Sequence, residues 1–129
     1  MHVEHLAIWV KDLERMKDFY CKYFHAVASA KYTNSKKGFQ SYFLSFDHGA
    51  RLELMQMASV PYSNDDVYIQ SIGLIHFAVS LGSKENVDAL TAQFRNDGFE
   101  VLDGPRTTGD GYYESVILDP EKNRIELTI

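Results

Sequence analysis

Two histidines and two glutamates recur in matching strand-like segments. His5 opens His5-Leu6-Ala7-Ile8 and His76 opens His76-Phe77-Ala78-Val79, while Glu53 sits in Arg51-Leu52-Glu53-Leu54 and Glu126 in Arg124-Ile125-Glu126-Leu127. Taken singly, a strand histidine is ordinarily a hydrogen-bonded residue and a strand glutamate ordinarily faces solvent. The repetition carries a sharper reading. Two imidazoles and two carboxylates brought to one point form a donor set for a divalent ion, with Zn, Ni, Co, Mn or Fe all compatible. Cys21 is the only cysteine, so a thiolate-based structural zinc finger does not fit. Four protein donors on a six-coordinate ion leave two positions for water or substrate, the arrangement of a catalytic site. On a tetrahedral ion a position opens only if one glutamate lets go.

Positioning these residues requires two similar halves. Residues 3–10 alternate as a strand, and Asp12 is the N-cap of a helix whose apolar positions Leu13, Met16, Tyr20, Tyr23 and Phe24 follow the helical period. Residues 26–32, 39–46 and 51–57 read as strands, with turns at 34–38 and 47–49. A polar stretch at 61–66 marks the linker. The order then restarts: a strand over 72–81, Ser83 as N-cap of a helix carrying Val87, Leu90 and Phe94 on one face, and Gly98 as a left-handed cap. Strands follow at 99–102, 112–118 and 124–129, the last two joined by the turn at 119–123. Each half is βαβββ, and the spacing between the two histidines matches that between the two glutamates to within two residues. An internal duplication accounts for both the order of elements and the repeated residues.

The bulk properties bound the partners. A chain of 129 residues with 45% hydrophobic content suits one domain with a real core. The formal net charge of -5, with Lys36-Lys37 as the only basic pair, carries no footprint for nucleic acid or an anionic membrane. A small molecule or a second copy of the chain is the expected partner. Cys21 reads as a core residue in a reducing compartment, and the residues after Met1 do not read as a signal segment, so a cytoplasmic location is expected.

The opening His5 strand, Asp12-Leu13-Glu14-Arg15 entering a helix with Phe19-Tyr20, the central His76 and the closing Asp119-Pro120-Glu121-Lys122-Asn123-Arg124-Ile125-Glu126 together resemble the vicinal oxygen chelate superfamily over the whole chain. This is the glyoxalase, bleomycin-resistance and extradiol-dioxygenase group. The resemblance implies an α+β fold of two tandem βαβββ modules, about 1–60 and about 70–129, forming an eight-stranded cup with flanking helices, and a homodimer. The order His, Glu, His, Glu is most similar to glyoxalase I (lactoylglutathione lyase), which isomerises the hemithioacetal of glutathione and methylglyoxal. Extradiol dioxygenases use two histidines and a single glutamate around iron. By resemblance, then, His5, Glu53, His76 and Glu126 hold a metal that stabilises an enediolate while a carboxylate moves the proton. Bacterial glyoxalase I usually carries Arg four residues past its first ligand His and Asn four past its first ligand Glu, to hold glutathione carboxylates. Here those places are Trp9 and Met57, and neither side chain makes a charge-assisted bond.

Further residues complete the expectation. Trp9, Met55 and Met57 share strand faces with the ligand residues and line an apolar substrate pocket or the ordinary core. Arg106 and residues 107–113, with Gly109, Gly111 and Tyr112, form either a loop that closes over substrate or a plain surface loop. Tyr32 and Tyr42 carry little weight, and His2, His25 and His48 read as non-ligands. Glu126, near the end of a strand expected to fray, is assigned as the base, and Glu53 as the fixed ligand. Two rival readings share the fold: a small-molecule binding or resistance protein without catalysis, and a thiol transferase or epimerase.

Overall fold

The side chain of Asp12 accepts a hydrogen bond from the Arg15 amide, which satisfies one of the free N–H groups of the first helical turn. That cap ends strand β1 (His5–Trp9) and begins helix α1 (Leu13–Phe24). The computed structural model describes residues 1–129, divided into two units, Met1–Asn64 and Asp65–Ile129. In the first unit the chain continues through β2 (Val27–Ala28), β3 (Tyr32–Asn34), β4 (Phe39–Ser45) and β5 (Arg51–Met57). The sheet order is β1-β5-β4-β2, with β3 also on β4; β1 runs parallel to β5 and the other pairs are antiparallel. Period-two alternation divides the sheet into faces. Leu44, Leu52 and Leu54 are buried on the side that packs against α1, where Leu13, Met16, Phe19, Tyr20, Tyr23 and Phe24 are buried too. Burying each such side chain contributes about 1.5–3 kcal/mol, so this layer fixes β5 in place. Tyr42 belongs to the helix side, since its hydroxyl donates to Glu14 of α1.

The second unit repeats the plan. It comprises β6 (Phe77–Ser80), α2 (Lys84–Asn96), β7 (Val101–Thr107), β8 (Tyr113–Leu118) and β9 (Arg124–Thr128), in sheet order β6-β9-β8-β7. Again the first and last strands are parallel and the rest antiparallel. Ser83 caps α2 by accepting from the Asn86 amide. Val87, Thr91 and Phe94 are buried beneath the sheet, and the Thr91 and Ser115 hydroxyls meet at 2.6 Å, so these two buried polar groups are satisfied.

Three expectations change. Residues 26–32 form no single strand: β2 and β3 pair with separate stretches of β4, so the first unit has five strands and the eight-strand count becomes nine. The strand expected over 72–81 is only Phe77–Ser80, because its ladder to β9 runs no further, and Ile72 and Leu74 are exposed. The strand expected at 99–102 is longer, Val101–Thr107, because β-bulges absorb Asp103-Gly104-Pro105, which reads as a strand breaker in sequence.

Candidate functional site

In both units the ligand residues arise from the same register. Parallel pairing sets Ala7 beside Glu53, and Ala78 beside Glu126. In each case the histidine lies two residues before that alanine, on the same face. His5 Nε2 lies 3.8 Å from Glu53 Oε2, and His76 Nε2 lies 3.2 Å from Glu126 Oε2. Two ligands each about 2.1 Å from a shared ion stand roughly 3.0–3.4 Å apart for right-angled to tetrahedral geometry. The second pair falls inside that interval, and the first, at 3.8 Å, lies beyond it. Each unit brings together one imidazole and one carboxylate, and neither gathers a group of three or more ligating side chains. The carboxylates are the shielded partners, at 15% and 17% side-chain exposure, against 39% and 37% for the histidines.

The first pair has a support that the sequence reading missed. His5 Nδ1 donates to the Glu4 carboxylate at 2.5 Å, and Glu4 also accepts from Arg51. A proton held at Nδ1 leaves Nε2 as the lone-pair nitrogen, the form a metal requires, and outer carboxylates of this kind commonly orient ligating imidazoles. The His5 and Arg51 contacts hold the Glu4 carboxyl below the usual carboxylate range. Phe43 sets its edge on the His5 ring at 5.4 Å between centroids, so the imidazole plane is fixed from a second side. In the second unit the place of Glu4 is taken by Ile75.

Around the second pair lies a cavity of about 520 Å³ lined by residues that include His76, Glu126, Glu114, Asp103, Arg106 and Arg124. Arg106 lies in β7 rather than in a loop, and its guanidinium bonds Asp103 at 2.6 Å and Glu114 at 3.3 Å. Burial first, and then the nearby Glu126 charge, push the Glu114 carboxyl up, while Arg106 opposes the shift. Asp103 and Glu114 went unremarked in sequence; Glu114 was legible, because it shares a strand face with Val116, the register partner of Glu126. Residues 108–112 form a turn closed by Thr108, whose amide donates to the Tyr112 carbonyl and whose hydroxyl accepts from the Tyr112 amide. Tyr112 itself is 58% exposed and is not among the residues lining the cavity.

Trp9, Met55 and Met57 lie on the Glu53 face of the first sheet. Trp9 is 43% exposed and meets Phe39 edge to face, and Tyr32, Asn34, Lys37, Phe39 and Met57 line a hollow of about 360 Å³. These side chains therefore lie on an open sheet face rather than in the core. Glu126 is not on a fraying end: β9 pairs with β6 on one side and β8 on the other, just as β5 pairs with β1 and β4.

Comparison with known proteins agrees with this architecture. Residues 2–127 match the family model of the glyoxalase/bleomycin resistance protein/dioxygenase superfamily. The uncharacterized protein YqjT of Bacillus subtilis (strain 168) is 25% identical over 128 residues, covering 97% of this chain and 96% of its own. Among solved structures, a possible glyoxalase from Bacillus cereus superposes with a TM-score of 0.72 at 25% identity, covering 100% of this chain and 99% of its own. The glyoxylase/bleomycin resistance protein/dioxygenase domain of Frankia sp. EAN1pec reaches a TM-score of 0.82 at 15% identity, covering 100% and 97%. No helix is long and apolar enough to cross a membrane.

Proposed function

The chain belongs to the glyoxalase/bleomycin resistance protein/dioxygenase superfamily, and from that premise we propose that it is a metal-dependent lyase or isomerase resembling glyoxalase I, acting on a small substrate with vicinal oxygens. Members of the superfamily commonly bind a divalent metal. The observation that carries the reading is the repeated His–Glu pair, set by identical register in both units and with Nε2 turned toward the carboxylate each time. His5, Glu53, His76 and Glu126 are the proposed metal ligands. A divalent ion on these imidazoles and carboxylates would supply Lewis acidity toward a substrate carbonyl.

The chain's own residues do the rest. Glu126 takes the proton from the carbon beside the carbonyl and returns it to the neighbouring carbon, while Glu53 stays as a fixed ligand. Glu4 keeps His5 in the ligating tautomer. Trp9, Met55 and Met57 offer apolar surface to the substrate, and Trp9 and Met57 stand where enzymes this chain resembles carry the polar residues that hold glutathione. Glutathione is therefore not the proposed thiol, and the methylglyoxal hemithioacetal of glutathione should be a poor substrate. A homodimer is the proposed assembly.

The test is metal content. Protein purified without chelator should carry about one divalent ion per chain, with affinity falling at acid pH as the imidazoles protonate. His5→Ala and His76→Ala should each remove most of it, and full occupancy in either variant would discard the ligand assignment. The open aromatic hollow beside Phe39 favours one alternative, a small-molecule binding or resistance protein. Wild-type protein that carries no metal, and takes none up, would select it.

A further inference from the structure

The two units differ in how one matching arginine is paired. Each places an arginine two residues before its ligand glutamate and on the same strand face: Arg51 before Glu53, and Arg124 before Glu126. In the first unit that charge is answered, since Arg51 pairs with Glu4 and its guanidinium covers the Phe43 ring at 4.3 Å. In the second unit Ile75 stands where Glu4 would be, and Arg124 forms no ion pair with any carboxylate. Its Nε and Nη2 donate to the Val67 carbonyl at 3.1 and 2.6 Å, a neutral acceptor that steadies the side chain without cancelling its charge. Three of the five guanidinium N–H donors remain.

Arg124 is half-buried and lines the cavity of about 520 Å³ that also holds His76 and Glu126. The other guanidinium there, Arg106, is engaged by both Asp103 and Glu114, so that with Glu126 the cavity sets three carboxylates against two guanidiniums and Arg124 is the guanidinium left without a bonded acid. A fixed guanidinium with spare donors and no carboxylate bonded to it can receive an oxyanion, and partial burial raises the value of each charge-assisted bond.

We propose that Arg124 binds an anionic substituent of the substrate, so that the substrate is a small acid, a carboxylate or another oxyanion that also carries the vicinal oxygens. The substrate role rests on the function proposed above; anion binding by Arg124 does not, and is measured on metal-free protein. The probes are lactate, which carries a carboxylate beside a hydroxyl, inorganic phosphate, and propane-1,2-diol, which keeps two vicinal oxygens without charge.

Titrations are followed by the Arg124 Nε–H and neighbouring amide resonances. Lactate, phosphate or both should shift them saturably, and the diol should not; which anion binds more tightly identifies the kind of oxyanion. Arg124→Gln should weaken the anion roughly 10- to 100-fold, the scale of a lost charge-assisted hydrogen bond. Because that change also removes the brace on Val67, a second variant leaves the arginine in place. Ile75→Glu rebuilds the arrangement of the first unit, answers the charge, and should weaken the anion to a similar extent. Equal responses to lactate and diol, or anion binding unchanged in both variants, would overturn the proposal. Failure of wild-type protein to bind metal, with anion binding still dependent on Arg124, would discard the metal reading and leave this one standing.

Discussion

Glu4 accepts the Nδ1 proton of His5 at 2.5 Å and bonds Arg51 with the same carboxylate, so the imidazole turns Nε2 toward Glu53. The second unit has no such carboxylate behind His76. The two histidines are thus alike in register and unlike in support, and their contributions to metal binding should differ. Glu4→Ala should lower metal affinity roughly 10- to 100-fold, the usual effect of removing an outer-shell partner, while Ile75→Ala should leave it close to wild type. Competition with a chromophoric chelator measures both. The nitrogen-15 shifts of His5 in metal-free protein add an independent reading: the Nδ1–H tautomer should dominate in the wild type and lose its dominance in Glu4→Ala. Equal affinities in the two variants would remove Glu4 from the account.

Gly104 shapes the cavity wall by a steric route. It has φ +79°, and a Cβ there would stand 2.5 Å from the Glu114 carbonyl oxygen and 2.8 Å from Ser115 Cα, both backbone atoms that cannot step aside. It sits between Asp103 and Arg106, where the bulged register brings those two side chains together. Gly104→Ala should cost about 2–4 kcal/mol, combining left-handed strain with overpacking. Gly38 also has positive φ, at +64°, but open space around it, so Gly38→Ala should cost only the strain, about 1–2 kcal/mol. Urea unfolding compares them, and equal losses would show that the close approach to β8 carries no weight.

Helix α1 is tied to the rest of its unit by Glu14, which bonds Lys31 at 2.9 Å, Lys17 at 3.1 Å and the Tyr42 hydroxyl at 3.2 Å. The Lys31 and Lys17 contacts pull its carboxyl down from the ordinary 4.5 to about 2. A carboxylate with a depressed folded-state pKa stabilises the fold above its unfolded value, and that stabilisation is lost as pH falls through the folded value. The difference in denaturation midpoint between wild type and Glu14→Gln should be flat above about pH 5 and close by about pH 2. The side chain is 51% exposed, so added salt should shrink the difference. A difference that ignores pH would mean that Glu14 acts by packing alone.

The helices and the duplication were legible because their signals are local. Asp12 and Ser83 cap where their side chains can reach the amide three residues on, and the apolar period of each helix persists over its whole length. The recurrence of His5 and Glu53 as His76 and Glu126 was legible as a repeat, whereas the pairing of each histidine with the glutamate of its own unit comes from the parallel register. What escaped depends on partners distant in sequence. The strand expected over 72–81 is cut to Phe77–Ser80 because its ladder to β9 stops there, and hydrophobic Ile72 and Leu74 cannot announce that they lack a neighbour. Asp103-Gly104-Pro105 looks like a breaker until β8 is beside it to receive the bulge. Glu4 precedes the strand and gave no periodic sign, and its role emerges only when β1 and β5 bring Arg51 and His5 to the same carboxylate.

The division of labour between Glu53 and Glu126 remains the sharpest test of the proposed chemistry. The sequence argument for Glu126 as the base relied on a fraying strand end and on a neighbouring loop at 107–113, and the sheet order removes the first: β5 and β9 are both interior strands, and the two carboxylates are equally shielded, at 15% and 17% exposure. A different asymmetry now supports the same assignment. Glu126 lines the cavity of about 520 Å³ together with Arg124, where the proposed acid would be held, whereas neither cavity described here is lined by Glu53. A base must reach the carbon that loses its proton, so the carboxylate beside the anchored end of the substrate is the better placed. Glutamine keeps the shape and an oxygen donor but cannot take the proton. Glu126→Gln should therefore stay metal-loaded and lose about 10² to 10⁴ in rate, while Glu53→Gln should mainly weaken metal binding. The rate is read on whichever acid the Arg124 titrations select, with metal content measured on the same samples. If Glu53→Gln is loaded and inactive while Glu126→Gln turns over, the roles exchange. If both are loaded and active, neither carboxylate is the base, and the raised Glu114 becomes the next group to replace.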